Sequence, residues 1–497
     1  MASTRWLALA ALNVFSLFDP SNAIKTPIEP RNGFGPSEAA ARKNAFDIFN
    51  AIHSAMRQWG SSLNHNGMSA FVVTIPEGVL LHHGTNSPNP PYGPEWLAFE
   101  IEHAELFARP YMPKLPKRPA PGLPPYSAIL HPLLGRGTTN TNTSTSSADA
   151  DADADANAAA GHGYLHTYLT TSPIPLLYLD GSSAGNTVMG TLDTQDLLLR
   201  GNRSAPLMDE FGRASELCEL VGRWGLLGMV RMEAGFEVIK CPPEFTRGMR
   251  LLTAARRPHP GQPGYALSWS DVFEFVRAIA RRYRGIGGGR VQVDWSSMVS
   301  AFFYDVDLSG GKWWPRLVGL SDAELGAIRE RIGQVAVERA AGGKRTIDWQ
   351  GVVDLIVARY SERLRYFTEA VDTIKVARDE INGLLNTYII YDEPDEGHQA
   401  AIDRCAKFYL RAVTPETQED HLILAAVETV TQDICSTLFR ARKLIVEDPE
   451  ADAGSLDSAR NILQELVDKL RWTTWKECGA CGADEAAQCW NSRPENN

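Results

Sequence analysis

Apolar positions along this chain follow two rhythms. In residues 37–60, Ala40, Ala45, Ile48, Phe49, Ile52 and Met56 fall near helical spacing, and Gly60 ends the run. Two strand-like runs follow, Ala70 to Ile75 and Val79 to His83, parted by Pro76-Glu77-Gly78. Residues 86–94, rich in Asn, Pro and Gly, predict a loop. Apolar-periodic sequence returns from Trp96 to Phe107. Leu176 to Leu179 predicts a strand ended by Asp180-Gly181, and Phe236 to Ile239 another, ended by Cys241-Pro242-Pro243.

Past residue 265 the rhythm becomes helical. Val272, Phe275, Val276, Ile279 and Tyr283 share one side of a helix that Ser270 precedes. Ser321-Asp322-Ala323-Glu324 has the spacing of a capping box, and Leu325, Ile328, Ile332 and Val335 continue it. Further helices are expected over 346–379, 397–412, 417–445 and 455–476. The fold class is therefore α+β. A mixed α/β domain over 35–260 is followed by a mainly helical domain over 265–476 and a cysteine-containing tail, 477–497. Residues 110–160 break the first domain. They are Pro-rich, then Thr/Asn/Ser-rich, then alternate Ala with Asp, which predicts a disordered surface insertion.

The N-terminus places the chain in a compartment. Arg5 precedes an apolar run from Trp6 to Phe18, and Ser21-Asn22-Ala23 offers a small-x-small site. This predicts a signal peptide, 1–23, and a secreted, extracellular protein. The seven cysteines are then expected to be mostly in disulfides, with Cys218–Cys241, Cys405–Cys435 and one pair inside 478–489, and one cysteine left free or intermolecular. Cys478, Cys481 and Cys489 supply three thiols with no histidine nearby, one short of a zinc set, so no metal is expected. The sequons at Asn142 and Asn202 become candidate glycan sites outside the cytosol. A net charge of −11 argues against nucleic acid as a partner, and after signal cleavage no membrane association is expected.

Candidate chemistry gathers in the first half. A strand delivers His83-Gly84-Thr85, where glycine would let a ligand approach the backbone and the flanking side chains offer polar contacts. Trp96 and Phe107 follow, and Glu237 stands inside Gly235-Phe236-Glu237-Val238-Ile239. Asp193 and Asp196 form a further acidic pair, expected in a surface loop; glycoside hydrolysis would require two such carboxyl groups placed across the scissile bond.

This order of residues resembles the split NAD-binding core of the ADP-ribosyltransferases, especially the poly(ADP-ribose) polymerase-like branch. In that family a His-Gly-Ser/Thr strand grips the ribose and amide of NAD, which His83, Gly84 and Thr85 match. Trp96 and Phe107 stand near the two aromatic positions that wall the nicotinamide, although the family usually has Tyr at both. Glu237 matches the catalytic glutamate, and Gly235 stands where a Glu or Gln normally assists transfer to a target. The resemblance implies NAD as substrate, with His83 and Glu237 catalytic. Both NAD hydrolysis and transfer to a protein or small-molecule acceptor remain open. It also implies that His83 and Glu237 sit on facing strands of one cleft with an aromatic side chain between them. The whole chain further resembles uncharacterised secreted proteins of filamentous fungi, through its His-Gly-Thr strand, its Leu-Tyr-Leu-Asp-Gly strand and its Trp/Cys tail. The alternative function is a non-catalytic secreted binding or effector protein, stabilised by disulfides.

Overall fold

A computed structural model describes residues 33–108, 162–187, 189–233, 235–259, 262–265, 268–280, 286, 289–308, 315–340, 346–391 and 398–476. The expected signal peptide, the 110–160 insertion, Asn142 and the 477–497 tail lie outside these residues.

The chain is α+β, built on one nine-stranded sheet with the spatial order β8-β4-β2-β3-β7-β6-β5-β1-β9. Its strands are β1 Ser69–Ile75, β2 Leu80–Thr85, β3 Glu95–Ala98, β4 Tyr164–Thr170, β5 Ile174–Leu179, β6 Gly228–Met232, β7 Phe236–Lys240, β8 Met249–Arg256 and β9 Gln292–Ser300. Every neighbouring pair is antiparallel except β5 with β6. The inner strands are apolar runs because both faces are covered; all five residues of β6 and of β7 are buried. At one edge β8 is mostly exposed and carries Arg250 and Arg256, charges that discourage pairing with another chain.

The helical rhythm of 37–60 breaks into three short pieces, α1 Glu38–Lys43, α2 Ala45–Ser54 and α3 Gln58–Leu63. Asn44 interrupts the first join, and Met56, with a left-handed φ of 57°, the second. Trp96 to Phe107 divides into β3 and a single helical turn, α4 Ile101–Glu105. Helices α5 Glu210–Arg223 and α6 Trp269–Ala280 follow. The long helices come last: α7 Asp322–Ala340, α8 Trp349–Ala370, α9 Ile374–Leu385, α10 His398–Lys407, α11 Gln418–Ile445 and α12 Ala453–Leu470. The capping box at Ser321 forms: Ser321 N donates to Glu324 Oε2 at 2.9 Å, and Glu324 N donates back to Ser321 Oγ at 3.3 Å.

β9 lies within the chain's helical half, yet it pairs with β1 as the last strand of the sheet. Its alternation of Val291, Val293 and Trp295 is short and interrupted by polar residues, so the surrounding helical signal hides it. One hydrophobic cluster consequently runs from Ala41 through the sheet to Trp472 on the far side of α12. α11 is long and apolar enough to cross a membrane, but 67% of its apolar window is buried in this core, beside α10 and α12. Cys218–Cys241 ties α5 to the end of β7 with Cα atoms 5.4 Å apart, and Cys405–Cys435 ties α10 to α11 at 6.0 Å.

Candidate functional site

Strands β2, β3, β7 and β6 lie side by side, and their register assigns every side chain to a face. His82 stands opposite Ala98, Ala98 opposite Glu237, and Glu237 opposite Arg231. Residues in register share a face, and successive residues alternate. Trp96, Arg231 and Glu237 therefore project from one face and His83 from the other. The single cleft that the transferase resemblance implies is not assembled.

His83 is 3% exposed, and its Nδ1 is 2.7 Å from the carbonyl oxygen of Trp96. Its ring lies 5.9 Å from those of His166 and Phe245. It joins β2 to β3 within an aromatic stack. Thr85 is buried at the end of β2, opposite Tyr164. Gly84 is small for a different reason from the one expected. A Cβ there would stand 2.5 Å from the carbonyl carbon of Phe107, and closer still to Ala104 O and Ala108 N. What approaches the Gly84 backbone is the end of α4, not a ligand. This docking also places Phe107, half-buried, 6.1 Å from the ring of His103.

Around Glu237 the structure gathers charges that the sequence had scattered. Arg231 is 3% exposed, and all three of its nitrogens are engaged. Nε donates to Glu237 Oε1 at 2.7 Å, Nη1 to Gln195 Oε1 at 2.9 Å and Nη2 to Glu210 Oε2 at 2.6 Å. Glu210 also accepts from Arg213, which grips Asp196 through two bonds of 2.8 and 2.9 Å. Asp196 and Gln195 sit on a π-helix, Thr194–Leu199, packed between α5 and α7. Asp193 and Asp196 are thus not surface-loop acids. Both are buried, Asp193 paired with Arg316 and Asp196 with Arg213 and Arg200, because a buried carboxylate needs a cation beside it.

Beside this network Trp96 and Phe211 meet edge to face, ring centroids 5.0 Å apart, and the Arg231 guanidinium lies 6.0 Å from the Trp96 ring. Trp96 is half-buried and Phe211 is 45% exposed, so the pair forms an aromatic lip. At the closed end, Glu233 lies just past β6, where its N–H donates to Gly235 O at 3.2 Å. Its Oε1 is enclosed with no hydrogen-bond partner among the described residues. Glu233 lies close enough to Glu237 for the two carboxyls to interact electrostatically. Gly235 lacks a side chain because a Cβ would meet His103 Nδ1 at 3.1 Å and Ile279 at 3.0 Å. In the resemblance this is the position of the assisting Glu or Gln.

The electrostatics separate the carboxyls. Burial, with the Glu237 charge adding to it, raises Glu233 well above the ordinary carboxylate range. Burial also raises Glu237, against the pull of Arg231. Glu210 is half-buried, and Arg231 and Arg213 together hold it below its usual value. Burial brings His103 down to about 4, so its ring is neutral. Of the two glutamates, Glu237 has the guanidinium that offsets its burial, and Glu233 is raised the further.

The pH dependence has a definite sign. A carboxyl whose folded pKa is raised contributes stability that is fully present below its unfolded pKa of about 4.3 and is lost as pH rises through the folded value. The wild-type melting temperature is therefore expected to fall between pH 5 and pH 8, and Glu233→Gln to flatten that fall and melt higher at pH 8. Scanning calorimetry at the two pH values checks this; parallel profiles for the two proteins would remove Glu233 as the titrating group.

Arg231, Glu233 and Glu210 escaped the sequence reading. The signal was Arg231 and Glu233 alternating with Met232 in a strand whose other residues are apolar, since a charge inside such a run must be paired or functional.

Fold and site together define an α+β protein with a carboxyl–guanidinium centre buried under one face of a mixed sheet. Residues 38–256, which span β1 to β8 and the whole centre, match a family model described as the YPL277C N-terminal domain. The chain is similar to uncharacterised fungal proteins. It is 29% identical to Uncharacterized protein YOR389W of Saccharomyces cerevisiae, over 86% of this chain and 78% of that one. It is 32% identical to Uncharacterized protein YPL277C of the same yeast, over 40% of each chain. No solved structure matches.

Proposed function

We propose that this is a secreted enzyme acting at the anomeric carbon of a glycosyl compound, with Glu237 and Glu233 as its working carboxyls. The observation that carries this is a pair of carboxyls within electrostatic reach of each other, Glu237 held by the Arg231 guanidinium and Glu233 with an enclosed, unpartnered Oε1 among the described residues, beside the Trp96–Phe211 aromatic pair. As the bond from C1 to the leaving group breaks, its electron pair departs with that group. Glu233 supplies a proton where the leaving group requires one. The Glu237 carboxylate stabilises the oxocarbenium-like transition state. Water, or an acceptor hydroxyl, then adds to C1 and returns its proton to the carboxylate. NAD is the substrate implied by the His83-Gly84-Thr85 resemblance. Glu237 and Trp96 stand together for that chemistry, while His83, on the other face, does not join them. Secretion is part of the proposal, and the two disulfides support passage through an oxidising compartment.

The test is glycosyl release by purified protein from NAD, nicotinamide riboside and p-nitrophenyl glycosides. Glu237→Gln keeps an acceptor for Arg231 and should retain the fold while losing at least about 100-fold in kcat, the usual loss when a preorganised charge is removed. Unchanged turnover in this variant, or none by wild type on any of these compounds, would overturn the proposal. The second reading, a non-catalytic binding protein, draws on the engagement of Glu237 by Arg231 and its 7% exposure. Binding without turnover would select it.

A further inference from the structure

We propose that Asn202 carries an N-linked glycan, joined through its side-chain amide nitrogen. This rests on the secretion included in the reading above and is independent of the chemistry at Glu237. Of the sequons at Asn142 and Asn202, the second lies within the described residues.

A glycan is bulky and soluble, so a fold that carries one must leave the asparagine nitrogen open to solvent. Asn202-Arg203-Ser204 meets that condition. Gly201, at a left-handed φ of 66°, turns the chain out of the π-helix Thr194–Leu199 and into the loop ahead of α5. Asn202 N donates to Asp196 O at 2.7 Å, which fastens the loop to that helix. Arg203 fastens its other side. Nε donates to Asp322 Oδ1 at 2.8 Å, and the two terminal nitrogens reach the carbonyls of Val318 and Leu320, just before α7. The middle side chain of the sequon is thus drawn onto the protein, while Asn202 is half-buried and Ser204 exposed.

The hydrogen bonding of Asn202 suits the modification. Ser204 N donates to Asn202 Oδ1 at 3.0 Å, closing an Asx turn across the sequon. Nδ2 donates to no group among the described residues and is not enclosed. Buried asparagines differ. Asn66 Nδ2 donates to Met189 O at 2.7 Å and Pro315 O at 3.0 Å, and Asn50 Nδ2 to Leu470 O at 2.9 Å. A sugar on either of those nitrogens would displace a bond inside the fold, whereas on Asn202 it displaces solvent. The modified amide keeps its carbonyl oxygen, so the Asx turn survives. The donor is a lipid-linked oligosaccharide pyrophosphate of the secretory pathway, and the step balances. Nδ2 bonds to C1 of the first sugar. The bond from C1 to the pyrophosphate oxygen breaks, and its electron pair leaves with the lipid pyrophosphate. One amide proton passes to the transferase base.

Expression of the full chain from Met1 in a secreting yeast host tests this, with peptide mapping before and after peptide N-glycosidase F, which converts a glycosylated asparagine to aspartate. Asn202 is expected to be converted in the secreted chain. Asn202→Gln should abolish the modification. So should Ser204→Ala, which keeps the backbone N–H that closes the turn and removes the hydroxyl that the transferase requires; Ser204→Thr should retain the glycan. Each variant should melt near the enzymatically deglycosylated wild type, since the fold does not use Asn202 Nδ2. A secreted, disulfide-bonded chain with Asn202 unmodified would overturn the inference and leave secretion standing. A chain kept in the cytosol with Cys218, Cys241, Cys405 and Cys435 reduced would overturn both. A glycan mass unchanged by Asn202→Gln and Ser204→Ala would place the sugar elsewhere and overturn the assignment.

Discussion

Gly84→Ala should destabilise the unliganded protein by about 3 kcal/mol or more, at the upper end of the usual cost of overpacking. The added methyl would collide with three backbone atoms at the end of α4, from Ala104, Phe107 and Ala108. None can rotate away as a side chain would. Relief requires lifting α4 from β2, which opens the small cluster of Ala98, Ala104, Ala108 and Leu165 beneath it. The measurement is the urea midpoint of wild type and variant without any ligand. If glycine were there to admit a ligand, the midpoint would not move and only binding would suffer. An unmoved midpoint would therefore reinstate the ligand-approach role for the His83-Gly84-Thr85 turn.

Arg231→Met should cost about 3–5 kcal/mol at neutral pH, the usual loss when one member of a buried ionic network is deleted. Methionine fills much of the arginine volume, so the loss is electrostatic. Glu237 would lose the cation that offsets its burial, and half-buried Glu210 would lose one of its two and keep Arg213. Both would then titrate higher in the folded state than they do now. By the linkage sign, the deficit should be smallest near pH 3, below the unfolded glutamate pKa of about 4.3, and should widen toward pH 8. Denaturant titrations at both pH values read this directly. Combining Arg231→Met with Glu237→Met should recover part of the loss, because apolar groups of similar size carry no desolvation cost. A single-variant deficit that does not change with pH would mean that packing, not charge, is what Arg231 contributes.

The first prediction bears on a motif legible in the sequence and the second on one that was not. His83-Gly84-Thr85 drew notice because glycine between polar residues at a strand end is a common way to build a ligand contact. The same three letters also suit a strand that must let a helix end pass. The network around Arg231 was assembled from residues 195, 196, 210, 213, 231, 233 and 237. Only Glu237 and Asp196 were noticed as candidates, each for a different chemistry. Ion pairs between elements leave no periodic trace, since either partner alone reads as a surface charge. Asp193 and Asp196 illustrate this: their letters suggest a loop, and only Arg316 and Arg213 make burial affordable.

Local rules determined much of the rest. The apolar runs specified β1, β2, β5 and β7, because a strand covered on both faces is mostly apolar, its buried polar residues being held by partners such as Arg231 for Glu237. Helical spacing and the Ser321 capping box specified the long helices and where α7 begins, because those contacts reach only three or four residues. The disulfides Cys218–Cys241 and Cys405–Cys435 were readable from the elements that carry them. Which face each strand turns to the site was decided by the tertiary structure alone. Side chains alternate with a period of two, so a shift of one residue in the pairing of β2 with β3 would bring His83 round to the side of Glu237 and send His82 away. That register depends on pairing across the sheet, where β2 and β7 are separated by about 150 residues of chain, and no local pattern in either strand encodes it.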